Sequence, residues 1–300
     1  MSESARLLDD TLQRLLGRRL SDPSRTDDPQ LAEEVARDLT DAGFDLLLAA
    51  ESDGGSGSSL TDAATVAWRS GRHAAPVDIV AFLMAPLVGG GELVPPSPAA
   101  RSSAGAATDS AARDPDALVL ARSGMPMLRA ASGVLSPLPA PAARAGMLLA
   151  CAALTGAMAH VLEIAVDYAN TRTQFGRPLA KFQAIQHQLA QAASELAATE
   201  AVLAAALEAA DEGRPDDRLI LSAKAQAGHA ATMIAATGHQ LFGAIGFTRE
   251  HELQRFTRYL WTLRDDWGRQ ADCDLALGRA GCAAPQGLWP FLVDQERIVA

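Results

Sequence analysis

The feature that most constrains this chain is its second half, where four stretches of helical apolar periodicity follow one another across short connections. The first runs from about residue 142 to 171 and is broken at Gly176-Arg-Pro178. The second, about 181–211, carries Phe182, Ile185, Leu189, Leu196, Leu203 and Leu207 at heptad-like spacing, which predicts a helix lying nearly antiparallel to its neighbours. After the turn Asp211-Glu-Gly-Arg-Pro215, Asp216 or Asp217 is placed to cap a third helix that reaches about Leu241. Gly243-Ala-Ile-Gly246 separates it from a fourth, about 250–267, striped by Leu253, Phe256, Leu260, Leu263 and Trp267. Long helices with short links make an up-down four-helix bundle the expected core.

The first third reads as a smaller helical unit. Leucines at 7, 8, 12, 15, 16 and 20 form one stripe, Asp28 is a plausible cap for a helix over about 30–42, and Gly43 ends it. Glu51-Ser-Asp-Gly-Gly-Ser-Gly-Ser is a loop, Thr61 or Asp62 begins a helix ending near Gly71, and Pro76 to Leu93 reads as one further helix closed by Gly89-Gly90-Gly91. Between 95 and 140, prolines recur at 95, 96, 98, 115, 126, 137 and 139. That density excludes long helices and central strands, leaving β-capable pieces at Ala117–Ala121 and Gly133–Leu135 in a reduced middle segment without a core of its own. The expected division is therefore mainly α: residues 1–94, 95–140, a bundle over 141–275, and a tail over 276–300.

Charge and cysteine usage remove several function classes. A net charge of −10 with no clustered Lys and Arg disfavours nucleic acid. Three cysteines (Cys151, Cys273, Cys282) without CxxC or Cys/His spacing give neither a disulfide framework nor a metal site. The histidines show no ligand spacing, and His229 and His239 are too far apart on one helix to share a metal. Gly54-Gly-Ser-Gly57 lacks a preceding strand and a GK[ST], so it reads as a turn. No GxSxG is present. Met1 to Leu20 is not a signal peptide, no run is expected to span a membrane, and the expected compartment is the cytoplasm.

Two motifs carry more specific information. Arg172-Thr-Gln-Phe-Gly176, followed by Phe182-Gln-Ala-Ile-Gln186, resembles the signature of the acyl-CoA dehydrogenase family, where it joins the first two bundle helices. Gln240-Leu-Phe-Gly-Ala-Ile-Gly-Phe247 is similar to that family's second motif, in the same order, and Gly43-Phe-Asp-Leu-Leu ahead of Glu51-Ser-Asp-Gly-Gly-Ser-Gly57 resembles its N-terminal helical domain. The resemblance covers roughly 30–94 and 142–268. It implies FAD as cofactor, with the Arg172 guanidinium on the pyrophosphate, where a bidentate, always-charged contact suits the oxygens. Gln174 and Phe175 would lie beside it, and Gln240 and Gly243 at the adenosine end. In the family these contacts reach across a dimer interface to the neighbour's flavin.

The same resemblance exposes what this chain lacks. The family removes the proton α to a thioester carbonyl with a positioned Glu, at one of two sites that fall here on Gly146 and Trp267. Neither is acidic, so no catalytic residue is assigned. Asp265 or Asp266 is the alternative base, in a self-sufficient homo-oligomer. Flavin contacts that follow the second site in the family fall on Arg269 and Ala271, and 95–140 is too short for the family's β-barrel. The implied reading is a subunit of a heteromeric acyl-CoA dehydrogenase, like the α2β2 steroid-degrading enzymes of actinobacteria. A full-length homologue would supply the Glu, FAD would be shared at the interface, the substrate would be a CoA thioester, and electron-transfer flavoprotein would be the acceptor. A flavin-free helical scaffold is the remaining alternative.

Overall fold

The computed structural model of this protein describes residues 3–22, 25, 28–88, 92–94, 125–129, 135–285 and 287–293. The N-terminal unit is formed by α1 (Glu3–Arg19), α2 (Pro29–Asp41), α3 (Leu60–Arg72) and the short α4 (Ile79–Met84). Helix α2 starts as its sequence predicts, with the Asp28 carboxylate accepting the Gln30 N–H at 3.0 Å and Pro29 at the first helical position. Helix α3 begins slightly earlier than expected because Ser59 is its cap, accepting from Asp62 N–H. The single helix expected over Pro76 to Leu93 is three pieces: Asp78 caps α4, a 3-10 turn covers Ala85–Val88, and Glu92–Val94 is a strand, β1. Pro86 lacks the N–H needed to continue α4.

Strand β1 pairs antiparallel with β2 (Met127–Arg129), which pairs with β3 (Leu135–Pro137). The β-capable piece expected at 117–121 lies outside the described residues. The one expected at 133–135 meets β3 only at its last residue.

The bundle consists of α5 (Ala140–Thr171), α6 (Gln183–Asp211), α7 (Asp217–Phe242) and α8 (Leu253–Asp265). The end of α8 corrects the sequence reading: the helix stops at Asp265, two residues before Trp267. A further helix, α9 (Gln270–Ala283), packs on α7 and crosses the boundary drawn at 275, and a short α10 (Leu288–Leu292) follows in the segment expected to be a tail.

Helix α5 is the axis of the molecule. It is apolar nearly all round, which predicts burial on every side. It is also long and apolar enough to cross a bilayer by composition, contrary to expectation, but 83% of its apolar window is buried against other helices. Small residues let α3 cross it closely: a Cβ on Gly71 would overlap the Ala153 carbonyl, and one on Gly156 would overlap the Trp68 carbonyl. The N-terminal unit and the bundle consequently share one hydrophobic core. A carboxylate strengthens the junction, with Asp211 at the end of α6 accepting N–H bonds from Leu60 (2.7 Å) and Thr61 (3.2 Å) at the start of α3.

Candidate functional site

Helix α5 ends at Thr171, and Arg172 leaves it in extended conformation while its N–H still bonds to the Tyr168 carbonyl at 2.8 Å. The chain then forms a minimal hairpin in which β4 (Thr173–Gln174) pairs with β5 (Arg177–Pro178). Its two turn residues, Phe175 and Gly176, have φ of +53° and +79°, the signs a type I′ turn requires. Glycine adopts that conformation freely, whereas for phenylalanine it costs about 1–2 kcal/mol. Phe175 is nevertheless 89% exposed, so burial does not repay the strain. A strained, exposed aromatic residue points to a contact outside the molecule. Arg172, Thr173 and Gln174 are exposed beside it, and no described carboxylate pairs with the Arg172 guanidinium.

The second motif lies at the same end of the bundle. Gln240 is exposed in the last turn of α7, and Gly243 follows with φ 62° and ψ −140°, a region open only to glycine at low cost. A Cβ at Gly243 would meet nothing within 4 Å, so the space before it is open. Tyr168, one turn before Arg172, contacts Phe242 with ring centroids 4.4 Å apart. This pair, which the sequence reading missed, ties the end of α5 to the end of α7. All five expected cofactor-contacting residues (Arg172, Gln174, Phe175, Gln240, Gly243) thus gather on one end of the molecule.

The two expected base positions meet at the opposite end. Gly146 is buried in the second turn of α5, and a Cβ there would overlap the six-membered ring of Trp267. Trp267 does not sit on the stripe of α8 as expected. It follows the helix with φ +55°, next to Gly268 at +93°, and this left-handed turn swings the indole inward to 3% exposure. The end of α8 is held by Lys224 of α7, a fully buried residue whose Nζ donates to the Arg264 carbonyl at 2.9 Å. Burial pushes the Lys224 ammonium pKa down.

The alternative bases are engaged elsewhere. Asp265 takes a two-pronged ion pair from Arg264 at 3.0 and 3.1 Å on a part-exposed surface. Asp266 is the C-cap of α8 in extended conformation and is half-buried, outside the helix expected to carry it. Arg269 caps α9 and Ala271 lies in its first turn, and neither side chain replaces the amide or hydroxyl expected after a catalytic Glu.

Separation decides what these two ends can share. Residues 146 and 172 stand at opposite ends of one helix, roughly 39 Å apart at about 1.5 Å per residue. One cofactor bound by Arg172 cannot reach a reacting atom beside Gly146 of the same chain.

Residues 144–264 match the family model described as the acyl-CoA dehydrogenase C-terminal domain. The acyl-CoA dehydrogenase IpdE2 of Mycobacterium tuberculosis is 30% identical over 242 residues, covering 70% of this chain and 74% of that protein. Glutaryl-CoA dehydrogenase of Desulfococcus multivorans is 37% identical over 112 residues, but these span only 29% of its length. Among solved structures, the Tcur3481-Tcur3483 steroid ACAD (G363A variant) superposes with a TM-score of 0.72 at 20% identity, over 92% of this chain and 97% of that one. The ChsE4-ChsE5 complex from Mycobacterium tuberculosis gives 0.72 at 17% identity, over 95% and 99%.

Proposed function

Because this chain belongs to the acyl-CoA dehydrogenase family, we propose that it is the non-catalytic subunit of a heteromeric member, clamping FAD held mainly by a partner. The observation that carries this reading is the pair of opposed ends: an exposed cluster of Arg172, Gln174, Phe175, Gln240 and Gly243 at one, and Trp267 packed over Gly146 at the other.

The residues fit the pyrophosphate and adenosine side of FAD and not its flavin ring. An exposed guanidinium without a carboxylate partner among the described residues suits two phosphates, since it is always charged and offers donors in a planar fork. Gly243 leaves open space where the backbone can approach a ligand. Bound there, FAD would supply the hydride acceptor for desaturation of the thioester. Everything else this chain does is positioning: Arg172 holds charge, Phe175 and Gln174 flank it, and Gln240 and Gly243 shape the far end.

The proton α to the thioester needs a carboxylate within hydrogen-bond reach. This chain presents none at Gly146 or Trp267, and Asp265 is tied to Arg264. The Glu therefore comes from a full-length homologue in an α2β2 assembly, with one shared flavin at each mixed interface. A CoA thioester of a steroid side chain is the proposed substrate. It is supported by the steroid ACAD and the two-component ChsE4-ChsE5 complex among the structures of like fold. Electron-transfer flavoprotein is the proposed acceptor and the cytoplasm the proposed compartment.

Arg172→Ala in the complex co-purified with its homologue tests the assignment. Loss of most bound FAD with an intact assembly is expected. Undiminished flavin would leave only a helical scaffold.

A further inference from the structure

The hairpin that presents Phe175 is too small to hold itself together. Two-stranded ribbons are marginal even when longer, and each strand here has two residues. One backbone bond braces its base, from Leu179 N–H to the Arg172 carbonyl at 2.9 Å. Beyond it, Leu179 and Ala180 pack against the core, and the tip of the hairpin is met by the ring of Phe182, the residue that leads into α6. The Arg177 guanidinium lies 4.2 Å from the centroid of that ring. Phe175 approaches the same ring edge-on, with centroids 6.1 Å apart and planes at 74°. Arg177 pairs directly with Gln174 across the hairpin, so their side chains share one face.

We infer that Arg177 and Phe182 are positioning residues of the clamp: they hold Phe175 and Gln174 in the presented conformation without touching the cofactor. The inference rests on the reading under Proposed function. Phe175 sits in a strained backbone conformation, and among the described residues Phe182 is the ring that meets it. Arg177 is exposed and its cation–π contact is modest, so its loss loosens the hairpin tip without unfolding the chain.

The test uses the co-purified complex, with the FAD Kd read from flavin fluorescence and the thermal midpoint measured alongside. Arg177→Gln is expected to raise the Kd about two- to five-fold, the range a cation–π contact at an exposed site supports. Arg177→Lys, which keeps a cation over the ring, restores affinity close to the unaltered complex. Phe182→Leu weakens binding at least as much, and adding Arg177→Gln to it changes little, because both act through one ring. The two Arg177 variants leave the midpoint within about a degree of the unaltered complex, on the small effects typical of surface changes. An unchanged Kd in Arg177→Gln, while Arg172→Ala still strips flavin, overturns this inference and leaves the clamp standing. Unchanged flavin in both variants overturns the clamp itself. If Arg177→Lys is as weak as Arg177→Gln, the guanidinium meets the cofactor or partner directly, and the positioning role is wrong. A fall in midpoint that accounts for the lost flavin also overturns it.

Discussion

The indole of Trp267 occupies the volume into which a side chain at Gly146 would project, so this ring and a side chain at 146 exclude each other. Glycine at 146 makes room for the tryptophan. That packing predicts a conditional penalty. Gly146→Ala should destabilise the chain by about 1–3 kcal/mol through overpacking, read as a lower urea midpoint. In a Trp267→Ala background the same change should cost little, since the cavity accepts a methyl. Equal penalties in both backgrounds would contradict the contact.

Phe175 offers a test in which stability and function move in opposite directions. Phe175→Asn places Asn-Gly in the turn, the pair best suited to two positive φ angles. The chain should gain about 1 kcal/mol by relief of left-handed strain, while the complex retains less FAD. A variant that is both more stable and fully flavinylated would mean the strain has no role in presenting the ring.

The junction between α3 and α6 depends on Asp211. Its carboxylate covers two of the orphan N–H groups at the start of α3, which Ser59 alone leaves unmet. Asp211→Ala should cost about 1 kcal/mol, measured by chemical denaturation, with Asp211→Asn intermediate.

His73 should make the fold acid-sensitive. Burial first, then the nearby guanidinium charges of Arg69, Arg255 and Arg72, hold its pKa down at about 4 against an ordinary 6.5. Between these values the unfolded chain binds the proton that the folded chain refuses, so stability falls as pH drops from 6.5 towards 4 and is complete above 6.5. His73→Gln should flatten that part of the curve relative to the unaltered chain, with the difference vanishing above pH 7.

The helical frame was readable because apolar residues recur at the helical period over long stretches, and that pattern survives any tertiary arrangement. What escaped was local. Trp267 shares the spacing of Leu253, Phe256, Leu260 and Leu263, so periodicity assigns it to α8, while a left-handed turn after Asp265 is what carries its ring to Gly146. Helix α9 was hidden by Gly278 and Gly281, yet Gly281 is where α10 packs, with Leu288 only 3.0 Å from the position a Cβ would take. The candidate site divides the same way. Arg172, Gln174, Phe175, Gln240 and Gly243 were named from two motifs, but their gathering at one bundle end follows from helix direction and the Tyr168–Phe242 contact. The strain at Phe175 was invisible, because a Phe-Gly pair carries no strong turn signal.

Flavin counted per polypeptide tests the central claim most directly. This chain expressed alone should be colourless or insoluble, and co-purified with its full-length homologue it should carry one FAD for every two chains. A yellow, active preparation of this chain alone, or one FAD per chain in the complex, would contradict the account.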